Sequence, residues 1–277
     1  CETYVAPGDR RGRAPSDKFH NHVTLLARNE KGYNNLIQLI TAANVEGFYY
    51  KPRVDRELLA RYRDGLIALS GCAHGDIPRL IVANRMDDAR QTARWYRENF
   101  AHFYLEIQRN PIPEMEQINN GLVALSREIG IPLVATNDVH YVLKEDAPAQ
   151  ELLLCIQTNT TIHDEKRMKM AGDFFYLRSP QEMAGLFSDL PEAIENSRRI
   201  ADMCDLEMKF GRPPLPEVEL PPGKDVDSYL VELCWQGLRE RYRQPCSEAE
   251  ERLRYELDVI QKTKFAQYFL VVWDIIR

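Results

Sequence analysis

The sequence has no apolar stretch long enough to cross a membrane. Its longest apolar run near either end, Tyr268 to Trp273, is far short of the about 20 residues a membrane helix needs. It also lacks close cysteine pairs. The six cysteines stand at 1, 72, 155, 204, 234 and 246, and no basic, apolar leader opens the chain, so the reading is a soluble protein of a reducing cytoplasm and not a disulfide scaffold. An excess of basic charge is missing too. With 36 Lys and Arg against 42 Asp and Glu the net charge is -6, which argues against wholesale binding along a phosphate backbone and leaves room for a local basic patch. There is no Gly-x-Ser-x-Gly elbow and no Gly-x-x-x-x-Gly-Lys-Ser/Thr loop, which removes serine-hydrolase and P-loop chemistry. No repeat of fixed period and no low-complexity tract occurs.

What is present is a globular composition, 44% apolar and 28% charged over 277 residues, enough for about two domains or for one barrel-sized domain with an appendage. Between residues 23 and 140, short apolar runs alternate with helical patterns, as in βα units feeding a largely parallel sheet or barrel. The clearest strands are Leu66–Ser70, Phe103–Gln108 and Pro132–Thr136. Met115, Ile118, Leu122, Leu125 and Ile129 share one helical face, and Gly130 stands as a C-terminal stop. After Tyr141 helices dominate, with one strand expected at Phe174–Leu177. The Ser179-Pro-Gln-Glu182 box predicts a helix start, and another helix is expected over Glu192–Cys204. Prolines then crowd the segment 212–223, which predicts a linker or domain boundary. Beyond it, Val226, Tyr229, Leu230, Leu233 and Leu238 mark one amphipathic helix, and Ser247-x-x-Glu250 opens a second carrying Leu253, Leu257 and Ile260.

The residues that carry chemistry follow strand ends. In Asn137-Asp-Val-His-Tyr141, directly after the strand ending at Thr136, positions i and i+2 of an extended chain share a face, so Asp138 and His140 can converge on one metal. The bland alternative is a helix cap and a satisfied rim histidine. Cys72 follows the strand ending at Ser70 and could serve as a soft zinc ligand or be a small buried hydrophobe. His20 and His22 precede Val23–Ala27 as a His-x-His pair. His74 could neighbour the site but reads more readily as a surface residue in a Gly-containing turn, and His102 and His163 have no evident partner. Glu106 lies opposite Phe103, Leu105 and Ile107 on its strand, which suits a supporting role better than direct ligation.

Several ordered segments together carry a family resemblance: Cys1-Glu-Thr-Tyr-Val-Ala-Pro7, His22-Val-Thr-Leu-Leu-Ala-Arg-Asn29, Gly47-Phe-Tyr-Tyr-Lys-Pro-Arg53, Gly65-Leu-Ile-Ala-Leu-Ser-Gly-Cys72 and Pro132-Leu-Val-Ala-Thr-Asn-Asp-Val-His-Tyr141. With Gly172–Leu177 and Phe265–Asp274 they resemble, across the whole chain, the amino-terminal region of the bacterial DNA polymerase III alpha subunit family. The resemblance implies an α/β fold, a distorted seven-stranded β/α barrel of the PHP (polymerase and histidinol phosphatase) type over residues 1–212. A Pro-rich linker over 213–224 and the helical opening of a polymerase palm over 225–277 would follow. It implies Glu2, His22, Cys72, Asp138 and His140 as metal ligands, and leaves His20 outside the set.

The resemblance further implies zinc or manganese at the PHP site, because His and Cys are softer ligands than magnesium prefers. Magnesium would serve a polymerase site lying beyond Arg277, and a His-x-His and an Asp-His ligand motif would lie before Cys1. The sequence is therefore read as an internal fragment with an incomplete metal cluster and no polymerase site of its own. DNA, other replicase subunits and a proofreading exonuclease subunit are the implied partners, and 3′ to 5′ phosphodiester hydrolysis is the implied PHP activity. A metal-stabilised scaffold without catalysis and a free-standing PHP phosphatase are the alternatives. The polymerase-like segment from Pro213 onward argues against the phosphatase.

Overall fold

Alternating apolar positions build seven strands in this computed structural model, which describes residues 1–208, 215–242, 244 and 246–276. The strands are β1 (Glu2–Val5), β2 (Asn21–Ala27), β3 (Phe48–Tyr49), β4 (Lys51–Val54), β5 (Leu66–Leu69), β6 (His102–Gln108) and β7 (Leu133–Thr136). Their order is β3-β4-β1-β2-β5-β6-β7. Pairs β5/β6, β6/β7 and β1/β4 are parallel, and β1/β2, β2/β5 and β3/β4 antiparallel. Among the described residues β7 does not pair with β3, so the hydrogen bonding is that of an open mixed sheet and the expected closed barrel is not seen. Both ends have a physical reason to stay open. Strand β3 is only two residues long, and at the other end Asn196 Nδ2 donates to the Leu133 carbonyl at 2.8 Å, filling an edge acceptor of β7.

The pleat sorts the strand residues onto two faces. On one, Val23, Leu25, Leu66, Ala68, Phe103, Leu105, Ile107, Leu133 and Ala135 join the main core. Helices α1 (Glu30–Val45), α2 (Arg56–Arg61), α3 (Asp76–Val82), α4 (Met86–Asn99) and α5 (Met115–Ile129) cover that face with buried apolar residues such as Leu39, Leu59, Ile77, Tyr96 and Leu122. On the other face, Ile67, Leu69, Tyr104 and Val134 form a smaller cluster with Ile200 of α8 (Pro191–Met203). The same face carries His22, Glu106, Gln108 and Thr136 by alternation, and this polar side is where the chemistry lies.

Local signals act where the sequence puts them. The five apolar residues of α5 are all buried, and Gly130 ends the helix at φ 66°. A Cβ there would meet nothing within 4 Å, so glycine is needed for the left-handed backbone and not for space. Ser179 Oγ accepts from the Glu182 N–H while the Glu182 carboxylate accepts from the Ser179 N–H, opening α7 (Pro180–Leu186). Helix α6 (Ala147–Thr158) precedes it.

Two expectations differ. Phe174–Leu177 forms a single bridge, Tyr141 to Tyr176, and not a strand, because its one backbone partner is the short 140–142 segment. In the second unit, the helix over Ser247–Thr263 (α10) begins at the expected cap residue itself, with Cys246 at the cap position one residue earlier and no side-chain cap bond, so the Ser247 box does not form.

The chain divides into two compact units, Cys1–Met208 and Lys209–Arg277. The expected boundary at residue 212 and the first linker prolines, Pro213 and Pro214, lie outside the described residues. In the second unit α9 (Val226–Arg241), α10 and α11 (Ala266–Ile276) pack around Leu230, Leu257, Ala266 and Leu270. Among the described residues, no helix is long and apolar enough to cross a membrane.

Candidate metal centre

Strands β1 and β2 bring the first two candidate ligands together. In their antiparallel register Glu2 faces Thr24 and Tyr4 faces His22, so Glu2 and His22 lie on one face two positions apart. The Glu2 Oε1 to His22 Nδ1 distance is 2.5 Å. Cys72 arrives from the loop after β5. His22 N–H donates to the His74 carbonyl at 3.0 Å, His22 bridges to Gly75, and Cys72 Sγ stands 3.8 Å from His22 Nδ1. Gly71 makes this approach feasible. It sits at φ +82°, and a Cβ on it would lie 2.8 Å from the His22 carbonyl oxygen, so only glycine lets the loop close on β2 without strain.

Glu2, His22 and Cys72 each offer a ligand atom, and these atoms lie within 4.8 Å of one another. Nitrogen, sulfur and carboxylate oxygen at that spacing form a donor set that a divalent cation of the zinc type can draw together. Burial pushes the Cys72 thiol up to about 11, with the carboxylates of Asp138, Glu106 and Glu2 adding to the effect. Burial also lowers His22 below the ordinary histidine value, with Glu2 acting against it, so the ring favours the neutral form that binds metal. The unbound site thus holds a neutral thiol, and a cation replacing its proton would make it a thiolate.

Asp138 and His140 form a second group on the loop after β7. Their closest side-chain distance is 3.4 Å, His140 Nε2 to Asp138 Oδ1, and this hydrogen bond raises the His140 pKa. The pair lies outside the 4.8 Å cluster. It is close enough for Asp138 to act on Cys72 and for Glu2 to act on His140 electrostatically. The loop is pinned from the 174–178 segment. His140 N–H donates to the Phe175 carbonyl at 2.8 Å, Asn137 Nδ2 reaches the Tyr176 carbonyl, and Arg178 Nη1 donates to Asn137 Oδ1 and to Asn110 Oδ1. Asp138 itself adopts φ 53°, an uncommon conformation for a non-glycine residue that aspartate tolerates.

Two residues gain weight from the geometry. His74 stands exposed in a turn, as expected, and also borders the cluster, its Nδ1 3.9 Å from Cys72 Sγ and its ring centroid 5.4 Å from that of His22. Glu106 is buried on the ligand-bearing side of the sheet. His20 stays outside the cluster, stacked on His22 at 5.9 Å with Nδ1 near the Lys18 carbonyl. His102 bonds Arg28 instead.

The class follows from matching this sequence to known families and proteins. Residues 1–110 match the family model described as PHP domain, and residues 228–277 match that described as Bacterial DNA polymerase III alpha NTPase domain. The chain is 44% identical over 281 residues to DNA polymerase III subunit alpha of Borreliella burgdorferi, covering 100% of this chain and 24% of that protein. It is 42% identical to the Treponema pallidum subunit, with the same coverage. For Thermus aquaticus the figures are 41% over 261 residues, 90% of this chain and 21% of the relative. Along essentially its whole length the chain is similar to bacterial DNA polymerase III alpha subunits, and it spans about a quarter of the length of the relatives it matches.

Proposed function

We propose that the chain is the PHP-bearing part of a DNA-directed DNA polymerase that serves replication, and that Glu2, His22, Cys72, Asp138 and His140 hold divalent cations, zinc or manganese, for phosphodiester hydrolysis in the 3′ to 5′ direction. The observation that carries this reading is the convergence of Glu2, His22 and Cys72, from two strands and a loop, within 4.8 Å of one another. A bound cation of this kind supplies Lewis acidity and lowers the pKa of a coordinated water.

The chain's own groups do the rest. Glu2 brings negative charge beside His22, which offers a neutral nitrogen. The Asp138 carboxylate holds the His140 ring through Nε2 and favours its protonated form in the unbound site, so a cation taken up by His140 would replace that proton. DNA is the substrate and binding partner in this reading, and further replicase subunits join the whole polymerase. Magnesium serves nucleotidyl transfer at a site that these residues do not form.

A second reading has its own support. A thiolate ligand is common in closed, structural zinc sites, so the cluster can serve as a metal-stabilised scaffold on which a proofreading exonuclease subunit docks. One experiment separates the two. Metal content and 3′ to 5′ exonuclease rate are measured for the whole alpha subunit, native and with Asp138→Asn plus His140→Ala. Hydrolysis that is lost with the pair supports the catalytic reading. Bound metal with no hydrolysis in the native protein supports the scaffold, and absence of bound metal rejects both.

A further inference from the structure

Glu106 is a carboxylate where strand alternation ordinarily puts apolar or neutral groups. Its strand, β6, lies between β5, whose end leads to Cys72, and β7, whose end leads to Asp138 and His140. Phe103, Leu105 and Ile107 face the main core, so Glu106 faces the opposite side with Tyr104 and Gln108. By the same alternation this is the side of His22 on β2. One oxygen is fully engaged, since Oε1 accepts from Thr136 Oγ1 at 2.6 Å and from Gln108 Nε2 at 3.1 Å. Its own N–H donates to Ser70 Oγ at 2.8 Å, which ties β6 to the start of the Cys72 loop. The second oxygen, Oε2, is buried with no hydrogen-bond partner.

A buried carboxylate without a counter-charge is costly, and a neutral glutamine would fill the same volume at lower cost. Among the described residues no Lys, Arg or His forms an ion pair with Glu106, and the groups that act on it are hydrogen-bond donors and the carboxylate of Asp138. Cys72 in turn feels the charge of Glu106. The Glu106 carboxylate is thus close enough to act on Cys72 and to feel Asp138, one residue from each half of the candidate site, and the Gly71 N–H beside Cys72 also acts on it.

We propose that Glu106 is a charge-balancing and positioning residue for a cation held by this site, joining the Glu2, His22 and Cys72 side to the Asp138 and His140 side. It lies outside the 4.8 Å cluster, so it acts through the ligands and the field at the site and not as one of the clustered donors. The inference rests on the metal reading above, and its test keeps the two separable.

Zinc affinity of the chain is measured by competition with a chromophoric chelator for the native sequence, Glu106→Gln, Glu106→Asp and Cys72→Ser, alongside thermal unfolding of each in chelator without metal. The expected result is zinc binding about 10- to 100-fold weaker in Glu106→Gln, the range for loss of groups that support a metal ligand shell. Metal-free stability should be equal to or above native, with affinity partly retained in Glu106→Asp. Native affinity in Glu106→Gln together with weakened binding in Cys72→Ser overturns the role of Glu106 and leaves the metal site standing. Unchanged affinity in both variants overturns the metal site and this inference with it. A Glu106→Gln chain that unfolds at lower temperature without metal and binds zinc natively assigns Glu106 to the fold alone. Should Glu106→Gln fail to fold, native affinity in Glu106→Asp together with native affinity in Thr136→Val, which removes the donor that orients the carboxylate, rejects the proposal.

Discussion

Replacing Asp76 by asparagine should stabilise the chain at neutral pH and have little effect in acid. Asp76 opens α3 with 8% of its surface exposed, its Oδ1 accepting from the Ile77 N–H at 2.9 Å and its Oδ2 from the Tyr96 hydroxyl at 3.3 Å. Burial pushes its pKa up to about 6 from 3.8, against the pull of Arg56. A raised pKa means the folded state prefers the protonated form. The favourable contribution is complete below pH 3.8 and is lost as the pH rises through about 6. At about 1.4 kcal/mol for each pKa unit, the shift of roughly two units corresponds to about 3 kcal/mol. Asparagine is neutral throughout, keeps an oxygen for Ile77 and presents an amide to the Tyr96 oxygen. Urea unfolding in metal-free buffer at pH 4 and pH 7.5 should therefore show Asp76→Asn gaining about 2–3 kcal/mol on the native chain between the two conditions, read as a change in midpoint at constant slope. A difference independent of pH, or one that favours the native chain as pH rises, refutes the reasoning.

Gly71→Ala should cost about 1–2 kcal/mol from its left-handed backbone alone and, because its Cβ meets the His22 carbonyl at 2.8 Å, should weaken zinc binding as well. Thermal unfolding and chelator competition read the two effects, and unaltered affinity would separate the loop from the site. Leu105→Ala removes a fully buried side chain from β6 in the main core and should cost about 2–5 kcal/mol in urea unfolding. Ser179→Ala removes the cap of α7 and should cost about 0.5–2 kcal/mol, with faster amide exchange confined to the first turn of that helix.

Elements whose signals are local were legible in the sequence. The α5 stripe from Met115 to Ile129, the Gly130 stop and the Ser179 to Glu182 box each depend on residues within one turn, and their bonds form where the pattern puts them. The sheet order was not legible, because nothing local states that β1 inserts between β4 and β2, or that β2 runs antiparallel to β5. Closure depends on the same long-range pairing, and the Asn196 bond to the β7 edge comes from a residue 63 positions away. Glu106 shows the boundary well. Alternation placed it opposite Phe103, Leu105 and Ile107, but only the strand order reveals that this opposite side is the one carrying His22. The Phe174–Leu177 segment has strand-like residues, yet its role is to anchor the Asp138 loop through single backbone and side-chain bonds.

Zinc-edge X-ray absorption of the zinc-loaded chain tests the central claim most directly, since it reads the atoms around the metal. Ligation by Glu2, His22 and Cys72 predicts one sulfur at about 2.3 Å and nitrogen or oxygen ligands at about 2.0–2.2 Å, with the sulfur shell absent in Cys72→Ser. A zinc shell of nitrogen and oxygen alone in the native chain, unchanged in that variant, would contradict it.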